Sequence, residues 1–310
     1  MKRWICILLA LMLAVSALTA CSKKNEVSSA DGEQVSSGPA VQPAASLEAQ
    51  LCIDLENTVM EAALMDRLEE WGSVDMDDIL RSVETWPQGA SGVVITDRVT
   101  SLQDSVSVIY VDMDVPQSGN TTGVSSAVTL NDLIDLALES DPALKSVGVL
   151  YSADNEASAA QVQAAQSHCT EKGVTLEQVT VNSADEVAQS AAELSARADA
   201  LLTPRDTKLF TGQAAAAIAQ AAAAESIPWY AQDADMVQQG AVASVGPDYE
   251  AMGRAAADMC VELLLGQSVG QVSARRLEDK KFTVNQQTLN TLEGIKLSQE
   301  IMEVAELIGQ

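Results

Sequence analysis

Over the C-terminal half of the chain, short apolar runs rich in Val, Ile and Leu alternate with longer stretches of helical period. The runs at 146–151, 176–181, 198–202, 227–231, 241–245 and 282–284 read as strands. The intervening stretches at 156–172, 184–196, 206–224 and 248–265 read as helices. Ser183 and Glu186 have the spacing of a capping box at the start of the second helix. The alanine-rich "GQAAAAIAQAAAAE" fits a closely packed one. Such alternation predicts a parallel sheet covered on both faces. The pattern is sparser before it, with strands near 51–55 and 92–95. Only about twenty residues separate Gly72 from the second of these, and "VDMDDILRSVETW" among them reads as helical. A strand is therefore missing there. In a 2-1-3-4-5 sheet it would be the outer one, leaving an edge near 51–55 for the tether or that helix to cover.

The first residues follow a different pattern. Lys2 and Arg3 precede an apolar run over 4–17 that closes on "LTAC". This is the layout of a secretory signal over residues 1–20, too short to span a bilayer. "LTAC" resembles the bacterial lipobox, which implies a lipid anchor on Cys21. Residues 21–48, rich in Ser, Gly, Pro and Ala, read as a flexible tether. Residues 49–310 are enough for two lobes.

Composition then excludes several functions. Loss of residues 1–20 removes Lys2 and Arg3 and no acid, moving the formal charge from −26 to −28. Nucleic acid is excluded as a partner, because phosphate contacts need clustered cations. Cys52, Cys169 and Cys260 are too few and too widely spaced for a disulfide framework or a zinc site. The single histidine, His168, reads as a surface residue, and no catalytic triad can be assembled around it. No cofactor is expected: the chain has neither a GxGxxG nor a P-loop.

In sheets of this kind ligands bind at the carboxyl edge of the strands. Four junctions qualify: "VGVLYSADNEASAAQVQ", "TPRDTK", "YAQDAD" and "VGPDYE". They combine short polar side chains and helix starts with Asp206, Asp233 and Asp248. Helix N-termini attract anions and carboxylates attract ammonium groups, so a zwitterion such as an amino acid suits both. Each aspartate taken singly reads as a helix cap.

From about Gly119 to Ile295 the chain resembles the substrate-binding lipoproteins of ABC importers in the tryptophan and tyrosine group. The resemblance lies in "GNTTGVSS", "VGVLYSADNEASAAQV", "ADALLTPRD", "IPWYAQDADMVQQGAVASVGPDYEAMGR", "LLLGQSVGQV" and "FTVNQQTLNTLEGI", in that order. It implies an α/β fold of type I periplasmic-binding proteins: two Rossmann-like lobes with parallel sheets, three crossings between them, and here a shortened first lobe. Lobe 1 would hold residues 49–122 and 247–270, and lobe 2 residues 123–246 and 271–310. It further implies a small-molecule solute enclosed between the lobes and an ABC permease in the membrane as partner. The carried-over ligand set is Glu56, Asn57 and Thr96 in the first lobe and Tyr151, Ser152, Asn155, Ser158, Asp206, Thr207, Asp233 and Tyr249 beyond it.

The chain also departs from the family pattern. Ala157 replaces an asparagine, Asn57 and Thr58 replace a His-Pro pair, and Asp97 follows Thr96 where the family has proline. Arg205 is a new cation, either a bidentate partner for a ligand carboxylate or a solvent-facing group. Trp229 and Tyr230 read either as neighbours of a ligand ring or as core. A bulky residue at Ser158 is expected to abolish solute binding without unfolding the lobe. Three readings remain: a solute-binding lipoprotein, a sensory or interaction lipoprotein that has lost its ligand, and, weakest, an enzyme using paired carboxylates.

Overall fold

The computed structural model describes residues 50–309 except Ser73, Val115, Pro116, Ala153, Thr207, Lys208 and Thr211. The signal, Cys21 and the tether lie outside the described residues. Two sheets organise the chain. The first contains β1 (Gln50–Asp54), β2 (Gly92–Thr96), β3 (Val106–Val111), β4 (Thr121–Ser126) and β10 (Arg275–Leu277), in that spatial order and all parallel. One face carries α1 (Thr58–Trp71) and α7 (Tyr249–Leu264). Leu51 and Ile53 point to that face and Cys52 to the other, the period of two expected of a strand.

The missing strand leaves β1 at the edge of this sheet. The segment expected as helix has only two single 3-10 turns, Met76–Asp78 and Val83–Thr85. Between them Leu80 donates its N–H to Leu51 O and accepts from Ile53 N, both at 2.9 Å. Ile79 enters the α-helical side of the core while Leu80 packs on the opposite face of the sheet. Only an extended backbone sends adjacent residues to opposite faces, so edge pairing overrides the helical pattern. This one-residue bridge, not a helix, covers the edge.

The second sheet has the order β12-β11-β9-β8-β7-β5-β6. Its parallel part comprises β5 (Ser146–Ser152), β6 (Thr175–Val181), β7 (Ala200–Thr203), β8 (Trp229–Ala231) and β9 (Ala243–Pro247). β11 (Lys280–Asn285) is antiparallel to β9, and β12 (Glu306–Ile308) runs parallel to β11. On one face α2 (Leu130–Ser140), α3 (Glu156–Lys172) and α9 (Gln299–Val304) bury Leu133, Val162 and Ile301. On the other, α4 (Ala184–Ser195), α5 (Gln213–Glu225) and the short α6 (Asp235–Gln238) bury Leu194, Ile218 and Val237. The short α8 (Gln286–Leu289) follows β11.

The chain passes between the sheets after Ser126, at Asp248 and after Leu277. β4 therefore extends the first sheet to Ser126, past the expected limit at 122. β10 joins the same sheet through pairing of Arg275 with Val124, although 271–310 was expected in the second lobe. Two local expectations also change. Glu186 accepts from Asn182 N at 2.9 Å instead of from Ser183 N, whereas Asp132 accepts from Thr129 N at 2.7 Å and so closes the start of α2. The helix expected from 206 begins at Gln213, because Gly212 (φ 50) breaks the helical path and Phe210 N bonds Asp206 O in a separate turn.

Asp199 ties the entrance of β5 to the loop before β7. Its carboxylate accepts from Lys145 N at 2.9 Å, Ser146 N at 2.8 Å and Ser146 Oγ at 2.9 Å. Burial pushes this carboxyl up, but those hydrogen bonds outweigh it and hold the pKa below its ordinary value. A depressed carboxyl adds stability above its unfolded pKa, about 3.9, which is lost as pH falls through the folded value. Urea unfolding of Asp199→Asn is expected to show lower stability than the parent near pH 7 and a gap that narrows as the pH is lowered past about 3.9. An equal gap across that range would refute the assignment.

Candidate ligand site

The carboxyl ends of strands from both sheets face one cavity of about 1330 Å³. From the first sheet come Asp112, Met113 and Asp114 after β3 and Ser125 and Ser126 of β4. From the second come Ser152 of β5, Arg205 and Asp206 after β7, Gln232 after β8, and the first turns of α2 and α3. The cavity thus lies where doubly wound sheets hold their ligands.

The second-sheet wall is a continuous polar network. Asn155 caps α3, accepting from Ser158 N at 3.1 Å, and its Nδ2 donates to Asp206 Oδ2 at 3.2 Å. Ser158 Oγ donates to Arg205 O at 3.3 Å, and Arg205 N donates to Gln232 Oε1 at 3.1 Å. Gln232 Nε2 in turn donates to Gln161 Oε1 at 3.0 Å, which also accepts from Leu130 N at 2.8 Å. The starts of α2 and α3 and the ends of β7 and β8 are thereby locked together, which holds the wall in one shape.

Arg205 neither faces solvent freely nor waits for a ligand. Its guanidinium pairs with Asp112 of the first sheet and lies over the Tyr249 ring, 5.6 Å from the centroid. Burial alone would lower the arginine pKa, but Asp112, Tyr249 and Asp233 outweigh it and raise it. Burial raises the Asp112 carboxyl, with Arg205 opposing. Asp112 also has left-handed backbone (φ 59), which its short polar side chain tolerates. At the far edge of the first sheet Arg98 is engaged likewise, paired with Asp54 and 4.0 Å from Glu56.

Comparison with known proteins decides the family. The family of ABC transporter substrate binding proteins matches residues 94–308. This chain belongs to that family. A tyrosine-binding protein of Clostridioides difficile is 24% identical over 250 residues, which is 79% of this chain and 72% of the relative. Among solved structures, a Streptococcus pneumonia ABC domain in complex with L-Trp superposes with a TM-score of 0.68 at 22% identity, over 84% of this chain and 99% of the other. A ligand-free, open substrate-binding protein with adhesive properties from Clostridium difficile gives 0.67 at 19% identity over the same shares. At these identities the structures share the fold: two lobes of the type I periplasmic-binding kind.

As a substrate-binding protein the chain binds solute and does not transform it. Among the described residues no helix is long and apolar enough to cross a membrane. Of the expected ligand set, Ser152, Asn155, Ser158 and Asp206 line the cavity. Tyr249 lies beneath the Arg205 guanidinium instead, and burial pushes the Asp233 carboxyl up. Tyr151 packs against the core beneath α2 and α3. In the first lobe the expected residues stand apart from the cavity lining. Asn57 caps α1 by accepting from Met60 N at 3.0 Å, Thr96 is buried and accepts from Arg98 N at 3.2 Å, and Glu56 projects outward. Thr207 and Cys21 lie outside the described residues.

Trp229 and Tyr230 are core, not ring neighbours: Trp229 Nε1 donates to Thr203 Oγ1 at 3.0 Å, and the Tyr230 hydroxyl lies 2.5 Å from Ser140 Oγ. His168 is half-buried at 2.9 Å from Asp135 Oδ1 instead of free on the surface. Ser158 is buried, so a bulky residue there would displace the Arg205 loop as well as block the cavity. Gln161 and Gln232 were absent from the expected set. Both stand in the quoted junctions, but an amide carries no charge signal, and only their mutual hydrogen bond marks them out.

Proposed function

We propose that the chain is the extracytoplasmic, lipid-anchored solute-binding component of an ABC importer. It captures a small zwitterion, an amino acid with aromatic ones among the candidates, between its two lobes and delivers it to a membrane permease. The observation that carries this reading is the cavity bounded by strand ends of both sheets, with Asn155 and Asp206 on one wall. Family membership and the tyrosine and L-Trp named for two relatives point the same way. A solute touching both lobes favours the closed arrangement because only there does it gain both sets of contacts. The lipobox-like "LTAC" supports anchoring at Cys21.

A thermal-shift screen against the amino acids tests this reading. Saturating solute at about 100 times its Kd is expected to add roughly 2.7 kcal/mol of stability. Asp206→Ala is expected to weaken the best solute by about tenfold in calorimetric titration, as loss of a charged hydrogen-bond acceptor does. A second reading, a sensory or interaction lipoprotein without a transport ligand, is favoured by the capture of Arg98 and Arg205 by the chain's own acids. It prevails if no solute shifts the melting temperature.

A further inference from the structure

The pairing of Arg205 with Asp112 joins two pieces of chain that belong to different sheets. Arg205 follows β7 in the second sheet, and its backbone is fixed from both sides there by Ser158 and Gln232. Asp112 follows β3 in the first sheet, where its N–H donates to Val124 O at 2.9 Å. Tyr249 opens α7, which packs on the first sheet and α1. The guanidinium therefore reaches from one lobe onto a carboxylate and an aromatic ring of the other. Its side chain is 36% exposed and that of Asp112 11%. A pair so placed is stronger than one on an open surface, where such bridges contribute little. Arg254 with Glu70 stays inside one lobe, and Lys281 of β11, at 3.8 Å from Asp248 and 3.7 Å from Glu250, spans only the passage of the chain into α7.

We propose that Arg205 and Asp112 form a clasp that holds the lobes together without solute, with Tyr249 as the platform beneath the guanidinium. The inference rests on the reading of the two lobes as hinged halves of a binding protein. It gives the ligand-free chain a standing bias toward closure, set by charges of its own. Separation of the lobes would leave the buried carboxylate without its partner and return the guanidinium to water. Salt favours that separated form, because the freed charges are screened.

The test is single-molecule energy transfer on the full-length chain without solute, between dyes carried by unnatural residues at exposed Glu69 on α1 and Gln189 on α4. Arg205→Met and Asp112→Asn are each expected to raise the open-to-closed ratio roughly five- to tenfold, between the effect of an exposed pair and that of a close desolvated one. The double variant should go no further than either single one. Tyr249→Leu should give a smaller shift in the same direction. Arg254→Ala, which breaks a pair within one lobe, should leave the distribution unchanged. Where a variant fails to fold, the parent chain decides: raising ionic strength from about 0.01 M to about 1 M, a roughly tenfold shorter screening length, should open it. Unchanged distributions in the folded variants, strictly additive single effects, or a parent insensitive to salt would each overturn the clasp. Because no solute is present, these outcomes stand whether or not the solute screen succeeds.

Discussion

Gly253→Ala is expected to destabilise the protein by about 3 kcal/mol, lowering its melting temperature by roughly 10 °C. Helix propensity alone predicts the opposite sign, since alanine inside a helix gains about 1 kcal/mol over glycine. The packing of α7 on α1 decides against it. A Cβ at Gly253 would stand 2.3 Å from Met60 O, 3.0 Å from Leu64 N and 3.2 Å from Ala63 Cβ. Two of those atoms are backbone and cannot turn aside, so the helices must part. Met60, Leu64, Met252, Ala256 and Cys260 are fully buried in the core between and beneath them and would lose contact together. Chemical denaturation of the variant measures the loss, and a gain in stability would show that the two helices are free to move apart.

Trp229→Ala is expected to cost about 3–5 kcal/mol, as removal of a large core aromatic does. The ring is 2% exposed on the α4 and α5 side of the second sheet. Its removal also strips Thr203 Oγ1, itself buried, of its Nε1 donor. Trp229→Phe, which keeps most of the volume, should cost less than half as much. Urea unfolding separates the two variants. If Trp229→Ala instead kept its stability and lost solute affinity, the ring would belong to the binding site and the core assignment would fall.

The second sheet was legible from sequence because its strands are continuous apolar runs separated by helices of ordinary length, and period alone distinguishes the two. The first lobe was legible in what it lacked: twenty residues cannot hold a strand, a helix and their turns. What those residues do instead was hidden, because Ile79 and Leu80 take their places from a neighbouring strand and two opposite faces of a sheet. The site divides in the same way. Ser152, Asn155, Ser158 and Asp206 stand at junctions that local pattern can find, whereas the partner of Arg205 depends on how two lobes meet. Asp112, ninety-three residues away by numbering, gave no local sign of it. Glu56 keeps the family's acid and Asn57 stands in place of its histidine, but the Glu56 N–H donates to Asp97 and Asn57 caps α1, contacts that motif matching does not register.

The return of α7 and β10 to the first sheet has a consequence for the order in which the chain matures. Strands β1 to β4 are synthesised first, yet the face they share with α1 lacks its second helix until the contiguous run from β5 to β9 has been made. N-terminal domains ordinarily finish first during synthesis. Here the earliest part of the body stays incomplete until α7 and β10 have been made, and through the interval it carries an open apolar face in need of protection.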